Sequence, residues 1–351
     1  MNRIIGRKSR PLEKPRTGPV TAKEVAREIG VSQSTISRAF TKDASISADM
    51  RLRVMEAAER LGYKPNAMAR TLITRRSGIV GIVMGDLTNP FYPEVLEVLS
   101  KRLQQNNLQT LLFNVPPGQE VDDELPLLLQ YQVDAVVITS ATISSAMAKS
   151  CAARGIPVLL FNRYVPGSGV HAVSCDNYEG GRMVARYLVE RGHRRLVYVA
   201  GKKDTSTTMD RERGFNEQLA ELGLAPWGRE EATDYTHQQG REAALRLLRG
   251  KRRPDAIFFA NDIMAIGGLD AMRGELGLRV PEDVSVVGFD DIQMAGWPSH
   301  SLTTVRQPIG AMVEKTAQLL DLSAAGKLPK PRSHLIPGQL IERSSCQNRR
   351  K

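Results

Sequence analysis

Four dipeptides in this chain of 351 residues follow apolar runs: Asn162-Arg163 after "PVLLF", Asp176-Asn177 after "AVSC", Asn261-Asp262 after "AIFFA", and Asp290-Asp291 after "SVVGF". Arg211 stands ten residues beyond the strand-like "LVYVAG". Carboxylates, carboxamides and a guanidinium brought together hold vicinal hydroxyls or a carboxylate through paired hydrogen bonds. Phe91 and Tyr235 add aromatic faces for stacking. Acid–base catalysis is not expected from this set, because the Asp pairs have neither a nucleophile nor a metal-ligand partner set. For any one Asp or Asn after a strand, capping the next helix is an equal explanation. It is a weaker account of all of them together.

A second set has a different chemistry. "GVSQSTISRAF", Gly30 to Phe40, lines up Ser32, Gln33, Ser34, Thr35 and Ser37 around a single Ile36 and ends with Arg38 close by. Small, uncharged hydrogen-bonding groups on a helix suit close contact with another polar object. Gln suits adenine and Arg suits guanine when a helix enters a major groove. Thr35 is a candidate phosphate contact. A merely capped, solvated helix needs only Ser32.

The elements that must carry these groups follow from pattern. Thr21 with Glu24 three later begins a helix as a capping box, and Gly30 ends it. Ser32 caps a second short helix with Ile36 turned inward, so 20–64 reads as a helix-turn-helix domain with a third helix near 47–61 closed by Gly62. Residues 65–77 form a hinge helix and linker. Pro65 suits a first helical turn, and the segment is too short to be stable alone in water. Leu72 is then a wedge for a minor-groove step. From Gly78 the chain alternates apolar strands with amphipathic helices, and the pattern restarts after "HAVSCDN". That alternation predicts two doubly wound parallel-sheet lobes. The first covers about 78–176 and 306–325, the second about 177–305 and 326–346. Helices are expected over 178–192, 209–223, 237–250 and 262–276, with a strand at "EATDYT". Ligands bind beyond the carboxyl ends of such strands, here in the cleft between the lobes.

Charge separates the parts. Residues 1–76 hold 17 Lys and Arg against 7 Asp and Glu, whereas the other 275 hold 32 against 31. A basic module beside a neutral body is the footprint of docking on a polyanion. Residues 1–19 read as a basic flexible extension and 347–351 as a basic tail. No run of eighteen apolar residues predicts a membrane span, and the amino end lacks the apolar core of a signal peptide. Cys151, Cys175 and Cys346 show no paired spacing and read as reduced thiols of a cytoplasmic protein. The five histidines show no ligand spacing, so neither metal nor cofactor is expected. "GSGVHA" fits a dinucleotide fingerprint formally, but it leads into a strand and offers no helix amino end for a pyrophosphate. "AGKKDTST" lacks the first glycine of a P-loop.

The stretch "VTAKEVAREIGVSQSTISRAFTKDASISADMRLRVMEAAERLGYKPNAMARTL", residues 20–72, resembles the DNA-binding headpiece and hinge helix of the lactose/galactose-repressor family. "VGIVMGDLTNPFY", "DNYEGGRMVARYLVERGHRR", "RERGF", "FFANDIMAIGGLDAM", "VPEDVSVVGFDD" and "LTTVRQP" are similar to that family's core, which is like periplasmic sugar-binding proteins. The resemblance implies an all-α headpiece on an α/β body. It also implies a regulator, a repressor by expectation, binding a palindromic operator in double-stranded DNA as a homodimer under control of a small effector. A sugar or sugar acid is expected; pairing of dimers into tetramers is left open. The expected DNA-facing residues are Thr21, Ser32, Gln33, Ser34, Thr35, Ser37, Arg38, Asn66, Ala69 and Leu72. Arg211, Asn261 and Asp290 are the first-rank effector contacts, with Phe91, Asn162, Asp176 and Tyr235 behind them. A transport solute-binding protein is the alternative, and an enzyme using the cleft a third reading.

Overall fold

The computed structural model describes residues 18–41, 44–64, 76–115, 121–139 and 145–350. The chain divides into two compact units, Met1–Ser77 and Gly78–Lys351. In the first, α1 (Ala22–Ile29), α2 (Gln33–Ala39) and α3 (Ala48–Leu61) enclose Val25, Ala26, Ile36, Ala39, Val54 and Ala57. Each helix begins on a hydroxyl cap, Thr21, Ser32 or Ser47, whose oxygen takes an amide proton that the helix itself cannot satisfy. Gly30 and Gly62 end α1 and α3 at φ of 68° and 70°, where a side chain is strained. Asn66, Ala69 and Leu72, with the rest of the expected hinge helix, lie outside the described residues.

The second unit holds two six-stranded sheets. In the first lobe β1 (Ile79–Met84), β2 (Gln109–Asn114), β3 (Ala135–Ile138), β4 (Val158–Phe161) and β5 (His171–Cys175) alternate with α4 (Phe91–Gln105), α5 (Leu125–Gln130) and α6 (Ser145–Ala153). In the second lobe α7 (Asn177–Glu190), β6 (Leu196–Ala200), α8 (Ser206–Glu221), β7 (Gly228–Glu231), α9 (His237–Leu248), β8 (Ala256–Phe259), α10 (Asp262–Asp270), β9 (Ser285–Asp290) and β10 (Thr303–Arg306) follow. Then α11 (Ile309–Ala324) returns against α4 in the first lobe, before β11 (Ser333–Ile336) and β12 (Gln339–Ile341). The sheet orders are β11-β5-β4-β3-β1-β2 and β12-β10-β9-β8-β6-β7, parallel throughout except for β10 with β12. Central strands such as β3, β4, β6 and β8 are buried at every position, which is why their sequences are unbroken apolar runs.

Three expectations need correction. Residues 326–346 do not all join the second lobe: β11 pairs with β5 in the first sheet and only β12 with β10 in the second. The segment crosses between lobes within two residues, Pro337 and Gly338. The seventh strand is Gly228–Glu231, not "EATDYT", because an edge strand is written in exposed charged residues whose only demand is backbone pairing with β6. Helix α8 starts at Ser206, three residues early, because Thr205 accepts the Thr208 amide and caps it. The basic tail is docked as far as Arg350: the Arg349 amide donates to the Arg191 carbonyl at 2.7 Å.

Cys151, Cys175 and Cys346 form no disulfide. No helix among the described residues is long and apolar enough to cross a membrane. Among the same residues, no group of three or more His, Cys, Asp or Glu could hold a metal ion.

Candidate functional site

The first unit presents α2. Ile36 and Ala39 are buried, which leaves Gln33, Ser34, Ser37 and Arg38 exposed on the outer face and Thr35 half-buried. Ser32 Oγ accepts from the Thr35 amide at 3.2 Å and lies 2.7 Å from Ser34 Oγ and 2.9 Å from Thr35 Oγ1. Arg38 reaches back only to Ser34, at 3.4 Å, so its guanidinium is held loosely. Thr21 closes its capping box through its own amide, which donates to Glu24 at 2.8 Å. Arg51 lies in the basic run but serves the fold: it donates to the carbonyls of Ala39 at 2.8 Å and Thr41 at 3.2 Å, closing the carboxyl end of α2. The surface of α2 is thus polar, with one exposed cation, Arg38, and no carboxylate.

Between the lobes, Asn89, Phe91, Tyr92, Asn162 and Arg163 of the first face Thr207, Arg211, Tyr235, Asn261 and Asp290 of the second. They line a partly open cavity with about 10 Å³ of water-accessible space, so a ligand larger than water enters only as the lobes part. Arg211 is 2% exposed and engaged on every side. Its Nε donates to Asn177 Oδ1 at 2.8 Å and Nη1 to the Ala260 carbonyl, and Nη2 lies 3.6 Å from Asp290 Oδ1. The Phe289 ring lies 3.6 Å beneath the guanidinium. Close helix packing sets its position: a Cβ on Gly181 would meet the Arg211 carbonyl at 2.2 Å, and one on Gly214 the Tyr178 carbonyl at 2.0 Å.

Asp290 is buried and accepts from Gln307 Nε2 at 2.7 Å. Burial raises its pKa, and the neighbouring Arg211 opposes that rise. Asp262 behind it is also raised, by burial and then by the negative charge of Asp290, while accepting from the Ile292 amide at 3.0 Å and from Thr304 Oγ1. Asn162 and Asp290 sit at φ of 71° and 127°. Such backbone strain costs roughly 1–3 kcal/mol each and clusters at binding sites. Asn162 Nδ2 donates to Tyr92 Oη at 3.4 Å, while Asn162 Oδ1 is buried without a hydrogen-bond partner.

Tyr235 Oη meets Thr205, Thr207 and Thr208 hydroxyls at 2.7, 3.0 and 2.6 Å. A phenol donates once and accepts the rest, so three partners exhaust it. Its ring fills the space beside Gly201, where a Cβ would meet Cε1 at 2.2 Å. The rim is latched: Tyr164 Oη donates to Asp210 Oδ2 at 2.7 Å and the Tyr164 amide to Ser206 Oγ at 3.0 Å, first lobe to second. Burial, and then the Asp210 carboxylate, pushes the Tyr164 phenol up to about 12.

Of the expected effector residues, Phe91, Asn162, Arg211, Tyr235, Asn261 and Asp290 meet at this cavity. Asp176 does not line it; it caps α7, accepting from the Glu179 amide at 2.9 Å. Asn261 does both, since its Oδ1 also accepts from the Met264 amide at 3.2 Å. Asn89, Tyr92, Arg163 and Thr207 also line the cavity, beyond the expected set. Arg163 adjoins Asn162 and is legible from it; Thr207, inside "TSTTMD", carries no signal that it alone of four buried hydroxyl residues lines the cavity.

Residues 21–66 match the model of the bacterial regulatory proteins of the lacI family, and residues 185–346 that of a periplasmic binding protein-like domain. The chain is 33% identical over 328 residues to the HTH-type transcriptional regulator GalS of Salmonella typhimurium, covering 93% of this chain and 96% of the relative. It is 32% identical over 338 residues to the HTH-type transcriptional regulator CelR of Thermobifida fusca, covering 93% and 98%. A lac repressor dimer bound to operator and the anti-inducer ONPF superposes with a TM-score of 0.84 at 25% identity, over 94% of this chain and all of that one. A CelR–cellobiose complex gives 0.69 at 30% identity, over 93% and 99%.

Proposed function

This chain belongs to the lacI family of bacterial regulatory proteins and is a DNA-binding transcriptional regulator, and we propose that it is a cytoplasmic repressor gated by a small hydrophilic effector, a sugar or sugar acid, held between its lobes. One observation carries the effector reading. The cavity is walled by buried Asn, Asp, Arg, Thr and Tyr groups, and Asn162 Oδ1 among them has no partner. Buried acceptors in native proteins are almost always satisfied, and a ligand hydroxyl would satisfy this one. Arg163 and Arg211 leave room for a carboxylate on the ligand. The CelR–cellobiose complex supports a carbohydrate.

In the proposed division of labour Gln33, Ser34, Ser37 and Arg38 read base edges. Ser32, Thr35 and Thr21 stand at helix starts, where phosphates dock. Asn66 and Ala69 flank the minor groove and Leu72 enters it. Arg211, Asn261 and Asp290 grip the effector, Asn162 and Tyr235 orient it, Phe91 stacks, and Asp176 acts by holding α7. Two chains in a homodimer read a palindromic operator. Effector binding changes lobe closure, and a coupling of about 1–3 kcal/mol changes occupancy usefully.

A thermal-shift screen against sugars, sugar acids and nucleobases, followed by gel-shift titration on duplexes selected from a random pool, tests the reading. A stabilising sugar that alters operator affinity is the expected result. Equal affinity for selected and random duplexes defeats the regulator; stabilisation by nucleobases alone defeats the carbohydrate.

A further inference from the structure

The amino ends of β6, β7 and β8 lie at the opposite pole of the second lobe from the cleft, across strands that run parallel and are adjacent. A five-residue strand such as β6 separates the two poles by roughly 17 Å. Cations gather there. Arg249, Lys251, Arg252 and Arg253 are four exposed basic residues among five, with only Gly250 between. Arg194 and Arg195, just before β6, are also exposed.

The backbone fixes this arrangement. Arg195 Nε donates to the Arg253 carbonyl at 2.9 Å, tying the two basic segments together. The buried carboxylate of Asp255 accepts from the Arg194 and Arg195 amides at 3.2 and 3.0 Å. Burial opposes its charge, but the adjoining His193, 3.6 Å away, and the bonds from these amides outweigh that and hold its pKa below the usual range. The docked carboxyl end adds one more cation: Arg350 and Arg194 both donate to the Val189 carbonyl, at 3.4 and 3.1 Å. The exposed Trp227, directly before β7, carries the Arg252 guanidinium 5.5 Å above its ring.

Elsewhere on this lobe many basic residues are matched, among them Arg246 with Glu230, Arg229 with Glu212 and Arg182 with Glu221. At this pole no carboxylate among the described residues stands within ion-pair distance of the clustered side chains; Asp283, nearby, is paired with Arg279. The body as a whole is nearly neutral, so this is segregation and not general basicity.

We infer that this pole of the second lobe is a second binding surface for the phosphate backbone of duplex DNA, separate from α2. An array of desolvatable guanidinium groups pairs with phosphate oxygens in paired fashion and needs no base contact. A protein partner fits less well, because an interface core requires free apolar area. Here the one large exposed ring among the described residues at this pole, Trp227, has a guanidinium, Arg252, over its face. The inference does not depend on the effector. A regulator seated on its operator could hold a second DNA segment at this pole.

The test uses the full chain loaded to saturation on an immobilised selected operator, so that the heads are occupied, followed by a random duplex of about 30 base pairs. Capture of the second duplex at about 50 mM salt and its release at about 300 mM are expected. In R249E/K251E/R252E/R253E capture should fall at least tenfold, with operator loading and Tm unchanged. No capture at low salt, or equal capture by the variant, overturns the inference. The milder R252A/R253A, expected to lower capture a few-fold, serves if the quadruple variant unfolds. Failure to load on any selected duplex would instead refute the regulator reading.

Discussion

Tyr164→Phe removes one hydroxyl and tests whether the rim latch holds the lobes together. The lost bond joins Tyr164 Oη to Asp210 Oδ2 at 2.7 Å, between a loop of the first lobe and α8 of the second. A hydrogen bond to a charged group contributes about 1.5–3 kcal/mol. The lower half of that range applies, because Asp210 keeps Arg213 at 3.2 Å and its carboxylate is not left bare. With a loss of about 1.5–2 kcal/mol in the closed form alone, the open population rises roughly tenfold to thirtyfold. The Tyr164 amide is itself bonded across the cleft to Ser206 Oγ at 3.0 Å, so its hydrogen exchange reports opening directly. Exchange mass spectrometry of a peptide spanning residues 160–167 should speed up by that factor, while peptides from β6 and β8 keep their rates. A double-mutant cycle with Asp210→Ala should show most of the effect as coupling. Unchanged exchange in the Tyr164→Phe peptide would refute the latch, and so would additive effects in the cycle.

Arg38→Ala should weaken operator binding by about 1–3 kcal/mol and relax preference at one base pair. Because the side chain is exposed, Tm should stay put; loss of affinity equal for operator and random duplex would argue for a phosphate contact instead. Gly214→Ala drives a Cβ to 2.0 Å from the Tyr178 carbonyl, so α7 and α8 must part. Overpacking of this kind costs about 1–3 kcal/mol; calorimetry should show a lower Tm, and effector binding should suffer because Arg211 shifts. An unchanged Tm would mean the helices separate freely. His334 gives a pH prediction. Burial, then Lys315 and Arg332, lowers its pKa to about 4. His171 Nε2 donates to the Pro329 carbonyl at 3.0 Å, so its Nδ1 accepts from His334 Nε2 at 3.3 Å. The folded form therefore binds fewer protons than the unfolded one, whose imidazole titrates near about 6.5. The contribution to stability is complete above that pH and is lost as pH falls toward about 4. His334→Gln should flatten the Tm-against-pH curve in this window, and parallel curves would sink the assignment.

The local grammar of this protein was legible in its residues. Thr21, Glu24 and Gly30 bound α1, Ser32 starts α2, and Ser47 and Gly62 bound α3, because caps and left-handed glycines act within a few residues. The parallel sheets were legible because strands buried on both faces must be continuously apolar. Other features depend on groups distant in sequence. Asp176 and Asn261 follow apolar runs in the same way, yet only Asn261 reaches the cavity, since the lobes' mutual placement decides which strand ends face each other. β7 escaped notice because an edge strand owes its existence to the neighbouring backbone and not to its own side chains. Thr207 turns inward because Tyr235, 28 residues later, brings its hydroxyl there. Hydrogen bonds between residues far apart, and the exclusion of water that gives them weight, exist only once the chain has folded; composition and spacing carry no record of them.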